Sequence, residues 1–338
     1  MYCFIVKATT DCNIGCGYCY QRDFGQSAEL LSVSDAKRLI TQAAEVSFPR
    51  VNLIWHGEEP LLLGLDFYRD VFSFGQTISS KVHQVVQTNA TLLDKDWAQL
   101  FAEYGISVGV SLDGPKSIHN RQRTGKEGQE TFEQVLEGMQ LLKEHNVPFG
   151  TLSVVTPAGL DQASEIYHFL VETGLTSFDF LGSSKEVTLR QFAEFMFEVF
   201  LIWTKEDNPN IHIRQLENVV MALLGGQPSL CRFNGSCADY LTVLSNGDVY
   251  PCDNLLGFPE FRFGNIHESH LNEILASSQR QGFLATVAAQ RERCKTCQYW
   301  RYCFGGCTAE RLLNGDKEFC GARRFLIGKI RQQLQGLL

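Results

Sequence analysis

Short apolar runs alternate with amphipathic segments through the first half of the chain, and this alternation limits the possible fold more than any other feature. The runs have the length and β-branched composition of buried strands, and they cover residues 4–7, 51–55, 82–87, 107–112, 149–155 and 178–181. Segments with helical spacing lie between them, such as residues 35–46 and 95–104. Strands that alternate with helices pair in parallel. We therefore predict an α/β fold with a partial (β/α)6 TIM-like barrel.

Barrels of this kind bind ligands in the loops at the carboxyl ends of their strands. The first group of cysteines, from Cys12 to Cys19, directly follows the first predicted strand. Two further helical segments, residues 189–205 and 215–224, lead into a second cysteine-rich region. We therefore predict a barrel domain over residues 1–225 and a cysteine-rich C-terminal domain over residues 226–338.

Charge and hydropathy exclude several function classes. The formal net charge is -8 at pH 7, so the chain lacks the overall basic character typical of nucleic-acid binding. No window approaches the ~20 consecutive apolar residues of a membrane span, and no signal-peptide pattern opens the sequence. We expect a cytoplasmic protein that binds neither nucleic acid nor a membrane.

The distribution of the twelve cysteines points to metal binding. Four lie within the first nineteen residues, none occurs in the next two hundred, and the other eight begin at Cys231. Cytoplasmic thiols stay reduced, so structural disulfides explain this pattern poorly. Cys3 lies apart from the clustered cysteines, and we expect it to serve as a small apolar side chain.

The segment Cys12-Asn-Ile-Gly-Cys16-Gly-Tyr-Cys19 places three thiols within eight residues. Three thiolates can hold three irons of a cubane cluster and leave the fourth iron without a protein ligand. A zinc site is the alternative, but zinc normally takes four ligands. The nearest candidate for a fourth ligand, His56, is remote in sequence.

The spacing Cys-x3-Cys-x2-Cys, with Tyr18 between the last two cysteines, resembles the signature of the radical S-adenosylmethionine (SAM) superfamily. The resemblance implies that SAM chelates the open iron. It also implies that an electron from the reduced cluster cleaves SAM to methionine and a 5′-deoxyadenosyl radical, which abstracts hydrogen from a substrate.

Three later segments are similar to the SAM-binding elements of that family. His56-Gly-Glu-Glu-Pro60 resembles Gly-Gly-Glu-Pro, and Gln87-Thr-Asn-Ala-Thr91 resembles Gln-Thr-Asn-Gly-Thr. Glu58 and Ala90 stand where these patterns have glycine. Ser111-Leu-Asp-Gly-Pro115 and the following arginine resemble the stretch that holds the SAM carboxylate, which the planar guanidinium suits. The implied SAM-binding residues are Tyr18, Gly57, Glu58, Glu59, Gln87, Asn89, Ser111 and Arg123.

The order of cysteines in the tail resembles the SPASM domain, which many radical SAM enzymes that modify peptides and proteins carry. By resemblance to anaerobic sulfatase-maturating enzymes, the first auxiliary cluster is held by Cys231, Cys237, Cys252 and Cys307. The second is held by Cys294, Cys297, Cys303 and Cys320. Together with the first motif this predicts three [4Fe-4S] clusters and SAM as cofactors. A pair of zinc ribbons is the alternative for the tail.

We favour a peptide maturase, an oxidoreductase that forms a radical on a ribosomally made peptide (a RiPP precursor) and then cross-links or otherwise remodels it. Glu58 and Ala90 depart from the SAM-binding patterns of the family, and they favour this hypothesis because they suggest a divergent branch. The alternative is an anaerobic sulfatase-maturating enzyme that converts Ser or Cys to formylglycine, and a non-catalytic iron–sulfur electron carrier is the least favoured hypothesis. Asp253, directly after Cys252, matches the proposed general base of the sulfatase-maturating enzymes; a solvated turn aspartate is the alternative for it.

The expected partners follow from this chemistry. They are a precursor peptide or protein substrate and an external electron donor of the flavodoxin or ferredoxin type. The first predicted strand begins within a few residues of Met1, so we expect no fused leader-recognition domain ahead of it. A separate leader-recognition protein is a further candidate partner.

Overall fold

A computed structural model describes residues 2–20, 29–78 and 81–335. The strands, in chain order, are β1 (Cys3–Lys7), β2 (Arg50–His56), β3 (Lys81–Thr88), β4 (Ser107–Ser111), β5 (Phe149–Val155), β6 (Phe178–Gly182), β7 (Tyr240–Leu244), β8 (Asp248–Tyr250) and β9 (Gly264–Asn265). The first six lie where the apolar runs predicted them.

The helices lie between the first seven strands and after β9. They are α1 (Val33–Val46), α2 (Gly64–Thr77), α3 (Lys95–Tyr104), α4 (Lys116–Gln122), α5 (Phe132–Glu144), α6 (Ala163–Glu172), α7 (Leu189–Glu206), α8 (Arg214–Leu223), α9 (Cys231–Asn234), α10 (Leu271–Ala276), α11 (Ser278–Cys294), α12 (Trp300–Cys303) and α13 (Thr308–Gln335). In the part of the chain that the structure describes, no helix is long and apolar enough to cross a membrane. The alternation from β1 to β6 confirms the predicted α/β class.

The chain forms two compact units, and the first contains Met1–Ser111, Arg123–Phe149 and Ala238–Ala285. Its strands lie in the order β4-β3-β2-β1-β7-β8-β9. β1 pairs in parallel with β2 on one side and with β7 on the other. A strand from the cysteine-rich tail therefore extends the sheet that begins with the first strand of the chain. The predicted division at residue 225 stays a prediction.

Aromatic side chains pack the helices of this unit against the sheet. The Tyr68 ring of α2 meets Trp55 of β2 edge-on at 5.8 Å and Trp97 of α3 at 5.6 Å. α3 begins after Asp94, whose carboxylate accepts the N–H groups of Asp96 and Trp97 at 3.0 Å. Such a cap satisfies two otherwise unpaired donors of the first turn. The loop from β3 to α3 is thus fixed at the point where it enters the helix.

The second unit contains Leu112–Gln122, Gly150–Cys237 and Thr286–Leu338. In it β5 and β6 pair in parallel over residues 151–155 and 178–182. α13 is interrupted at Gly315, whose φ of 79° only glycine adopts readily. Of the cysteines in this unit, Cys231 begins α9, Cys294 ends α11, Cys303 ends α12 and Cys320 lies on α13.

Candidate active site

The first three cysteines of the motif lie on a loop directly after β1. The Cys19 N–H donates to the Cys16 carbonyl at 3.2 Å, which makes the second half of the motif a turn. The Gly15 N–H donates to the carbonyl of Thr124 at 2.7 Å and anchors the middle of the loop. Cys12, Cys16 and Cys19 are all half-buried, and none of them forms a disulfide.

Polar donors face these thiols, as an anionic cluster would require. The Asn89 amide approaches the Cys12 sulfur at 3.7 Å, and the Arg123 guanidinium approaches the Cys16 sulfur at 3.8 Å. Burial, together with the charges of Glu59 and Cys16, raises the pKa of the Cys12 thiol to about 12. Bound metal ionises such thiols, so this donor set fits an iron–sulfur cluster.

Glu59 ties the loops after β2 and β3 together. Its fully buried carboxylate accepts the Thr88 hydroxyl at 2.7 Å and the N–H of Asn89 at 2.8 Å. A third bond comes from the N–H of Leu61 at 3.0 Å. Burial raises the pKa of Glu59 to about 7, against the effect of these hydrogen bonds. The side chain is therefore an acceptor that organises the loops beside the cysteine motif.

Two backbone positions explain the glycine pattern of these loops. Gly57 has a φ of 126°, and a Cβ there would lie 2.9 Å from the carbonyl oxygen of Thr9. Only glycine fits that approach. Ala90 has a φ of 64°, so it adopts the left-handed conformation that glycine supplies elsewhere, at a cost of about 1 kcal/mol. The departure from glycine at this position therefore preserves the backbone.

The other predicted SAM-binding residues of this unit lie on the same loops or on adjacent strands. The Gln87 amide approaches the Ser111 hydroxyl at 3.4 Å, which links the ends of β3 and β4. The buried Arg123 guanidinium lies 5.4 Å from the centre of the Tyr18 ring. Arg123 therefore contacts both the cysteine motif and its aromatic residue.

Lys7 is a site residue that sequence reasoning missed. It ends β1 and is 3% exposed. Its ammonium donates to the Tyr20 hydroxyl at 2.9 Å, and that hydroxyl donates to Asp253 Oδ2 at 3.3 Å. The available signal was a lysine that closes an otherwise apolar strand immediately before the cysteine loop. The predicted base Asp253 is half-buried and belongs to this hydrogen-bonded group, and its role as a base stays a prediction.

His56 and Glu58 complete the surroundings of Lys7. The Gly57 N–H donates to His56 Nδ1 at 2.7 Å, and Lys7 Nζ lies 3.4 Å from the same nitrogen. Burial and the Lys7 charge lower the pKa of His56 to about 3, so its imidazole is neutral. Burial raises the pKa of Glu58 to about 7, and the charge of Lys7 opposes that shift. His56, the candidate zinc ligand, instead accepts hydrogen bonds.

The second predicted cysteine set lines one cavity in the second unit. Its walls include Cys294, Cys297, Cys303 and Cys320. Arg311 donates to the Cys294 sulfur at 2.9 Å, and Arg324 approaches the Cys297 sulfur at 3.8 Å. Four thiols around one space, faced by cations, fit a fully cysteine-ligated cluster.

Three members of the other auxiliary set also lie in the second unit. Burial and the charge of Cys307 raise the pKa of the Cys237 thiol, and hydrogen bonds from Thr308 lower it. Burial lowers the pKa of the Arg323 guanidinium, and the charges of Cys307 and Cys231 raise it. Cys252 lies in the first unit, after β8, so the complete set of four stays a prediction. Among the described residues, no group of three or more His, Cys, Asp or Glu side chains could hold one metal ion.

Two family models match this chain. The model described as the radical SAM superfamily matches residues 6–170, which include the first cysteine motif and the loops after β2, β3 and β4. SPASM, described as an iron–sulfur cluster-binding domain, matches residues 231–298. The chain is a radical SAM protein with a SPASM domain. Its [4Fe-4S] clusters and SAM are thereby confirmed as cofactors.

Curated relatives match this radical SAM protein over most of its length. The cysteine-type anaerobic sulfatase-maturating enzyme of Clostridium novyi (strain NT) is 27% identical over 94% of this chain and 91% of its own. The serine-type anaerobic sulfatase-maturating enzyme of Bacteroides thetaiotaomicron is 29% identical over 92% of this chain and 83% of its own.

A solved structure gives the same fold. Native anSMEcpe with bound AdoMet and Cp18Cys peptide matches with a TM-score of 0.88 and 25% identity, over 99% of this chain and 98% of that chain. The predicted family, fold class and enzyme class of this radical SAM protein are therefore confirmed. The individual SAM contacts, the cluster ligands and Asp253 stay predictions.

Replacing Glu59 with glutamine should weaken both the fold and SAM binding. Glutamine would turn an NH2 group towards one of the donors that the carboxylate accepts, which costs about 1–3 kcal/mol of unfolding free energy. Loss of the negative charge should also weaken SAM binding about tenfold. Urea unfolding and anaerobic titration calorimetry with SAM measure the two effects.

The adjacent substitution Glu58→Gln is the matched control for Glu59→Gln. Glu58 is half-buried, and the patterns of the family have glycine at this position. We expect it to leave the unfolding free energy close to that of the wild type. An equal loss of unfolding free energy in the two variants would contradict the role assigned to Glu59.

Proposed function

We propose that this radical SAM protein is an anaerobic sulfatase-maturating enzyme that oxidises a cysteine or serine side chain of a sulfatase to formylglycine. The similarity to both the cysteine-type and the serine-type maturating enzymes over most of each chain carries this proposal. The peptide in the matched anSMEcpe structure also supports a polypeptide substrate.

The comparisons favour this function over the peptide cross-linking that the sequence suggested first. That preference depended on Glu58 and Ala90. Ala90 adopts a φ of 64° and so keeps the backbone of a glycine. The substitution is therefore no sign of a different reaction. Cross-linking stays compatible with the fold, because related sites can host different reactions.

The residues of the chain divide the task between them. Bound cluster and SAM together supply hydrogen-atom abstraction from the target side chain. Cys12, Cys16 and Cys19 would hold the cluster, and the loops joined by Glu59 would hold SAM. Asp253 would accept the proton that the target hydroxyl or thiol loses. Of the two electrons removed, one would leave with the abstracted hydrogen atom, and the other would pass to a bound auxiliary cluster.

The remaining partners belong to the same proposal. The reaction needs an external electron donor, for which a flavodoxin or ferredoxin is our candidate. A separate leader-recognition protein would be needed only for the cross-linking alternative. We place the reaction in the cytoplasm, where the reduced thiols and clusters would persist.

A peptide assay tests the proposal. The reconstituted protein is incubated anaerobically with SAM, dithionite and either the Cp18Cys peptide or its serine counterpart, and the products are read by mass spectrometry. We expect an aldehyde at the target residue. In the cysteine peptide, water would hydrolyse the thioaldehyde formed by the oxidation, so that oxygen replaces sulfur and hydrogen sulfide is released.

Two controls sharpen the assay. The Cys→Ala version of the peptide lacks the oxidisable heteroatom and should yield no aldehyde. A cross-link would remove two hydrogens and retain sulfur, and that product would favour the peptide maturase. Cleavage of SAM with no change in either peptide would refute the proposed sulfatase-maturating activity.

A further inference from the structure

Lys7 is a buried cation that neither the fold nor the predicted cofactor sites explain. Lysine is almost never fully buried unless it is paired. On β1 the core positions are Phe4 and Val6, which are 0% exposed. Lys7 follows them at the end of the strand and is 3% exposed.

The backbone fixes the root of this side chain. Lys7 stands opposite His56 of β2 and opposite Leu244 of β7 in two parallel ladders. Because the strand is paired on both sides, its end cannot shift without breaking hydrogen bonds of the sheet. The ammonium therefore projects from a rigid element.

The ammonium acts on the predicted base through a hydroxyl. Lys7 Nζ lies 2.9 Å from the Tyr20 hydroxyl and 5.4 Å from the centre of its ring. The same hydroxyl donates to Asp253 Oδ2 at 3.3 Å. An ammonium has only donors to offer. The hydroxyl that accepts from Lys7 must therefore turn its own hydrogen elsewhere, and the carboxylate receives it.

The charges around Lys7 fit this arrangement. His56 is held by the Gly57 N–H and presents a neutral nitrogen at 3.4 Å. Burial lowers the pKa of Lys7, and the negative charges of Asp253 and Glu58 raise it. The cation thus lies between a neutral acceptor and two acidic groups.

We propose that Lys7 is a positioning residue that orients the Tyr20 hydroxyl and, through it, the carboxylate of Asp253. This inference rests on the proposed function, since Asp253 is the proposed base of that reaction. It adds a residue at the end of β1 that couples hydrogen abstraction to formation of the oxidised product.

The test compares Lys7→Met, Lys7→Arg and Tyr20→Phe with the wild type, all as reconstituted holoenzymes. Lys81→Met is the matched control, because Lys81 is an exposed lysine at the start of β3. The measurements are the iron content, the 5′-deoxyadenosine formed from SAM, and the aldehyde formed from Cp18Cys peptide per 5′-deoxyadenosine.

We expect Lys7→Met and Tyr20→Phe to lower the aldehyde yield per 5′-deoxyadenosine about ten- to a hundredfold, as a misplaced catalytic group does. Iron content and SAM cleavage should stay at wild-type values. Lys7→Arg should restore part of the yield, because it keeps the charge, and Lys81→Met should change nothing. A parallel loss of cleavage and product in Lys7→Met, with no recovery in Lys7→Arg, would mean a purely structural role and overturn the proposal.

Crystal structures of the wild type and Lys7→Met separate this proposal from the proposed function. We expect the substitution to break the contact between Tyr20 and Asp253 and to turn the Asp253 side chain. An unchanged contact would overturn the inference whether or not the peptide is oxidised. If the wild type yields no aldehyde while the contact depends on Lys7, the assumed substrate is wrong and the positioning role stands.

Discussion

Replacing Cys12, Cys16 and Cys19 together with alanine is expected to abolish SAM cleavage and to spare the auxiliary clusters. These three thiols share one loop after β1, and no cysteine of the tail lies near them in sequence. The protein should lose about four of about twelve irons, since each cluster of this type holds four. Iron and sulfide analysis, visible absorbance and detection of 5′-deoxyadenosine measure the result.

Cys3→Ala is the matched control for this triple variant. Cys3 lies on β1, close to the motif in sequence, and burial raises the pKa of its thiol to about 11. We assign it no cluster, so its loss should leave the iron content and SAM cleavage unchanged. Continued SAM cleavage by the triple variant would contradict the assignment of the motif.

Replacing Asp253 with asparagine is expected to separate SAM cleavage from product formation. The amide keeps the size of the carboxylate but cannot take up the substrate proton. A general base contributes about 100-fold or more to a rate, so the aldehyde yield per 5′-deoxyadenosine should fall by about that factor. Mass spectrometry of the Cp18Cys peptide and quantification of 5′-deoxyadenosine give the ratio.

Asp248→Asn is the matched control, because Asp248 lies shortly before Asp253 in the chain. Asp248 lies on β8 and accepts the Arg262 guanidinium at 2.7 Å. This substitution also removes a carboxylate, but one that does not belong to the hydrogen-bonded group of Lys7, Tyr20 and Asp253. We expect the ratio of aldehyde to 5′-deoxyadenosine to stay at the wild-type value there. An unchanged ratio in Asp253→Asn would mean that another group takes the proton.

The local pattern of the sequence was sufficient for much of the fold. Runs of β-branched residues predicted β1 to β6 within one residue at each end. α4 was missed because it follows the Ser-Leu-Asp-Gly-Pro run, which reads as a turn. A helix of seven residues leaves little periodicity to detect.

Contacts between remote parts of the chain could not be predicted in this way. Tyr20 and Asp253 are 233 residues apart, and their hydrogen bond has no local signature. Lys7 resembled an ordinary polar strand end, and only the structure shows that it is buried. The pairing of β1 with β7 is equally remote. Periodicity reports which face of an element is buried and says nothing of its neighbours.

The position of β7 beside β1 has a consequence for how proteins of this architecture can be recombined. A cut at residue 225 would leave one side of β1 without its ladder partner, and open strand edges invite aggregation. The tail is therefore not an independent module that could be exchanged at this residue. A chimera that borrows the tail of a relative would have to import a strand that pairs in register with residues 3–7.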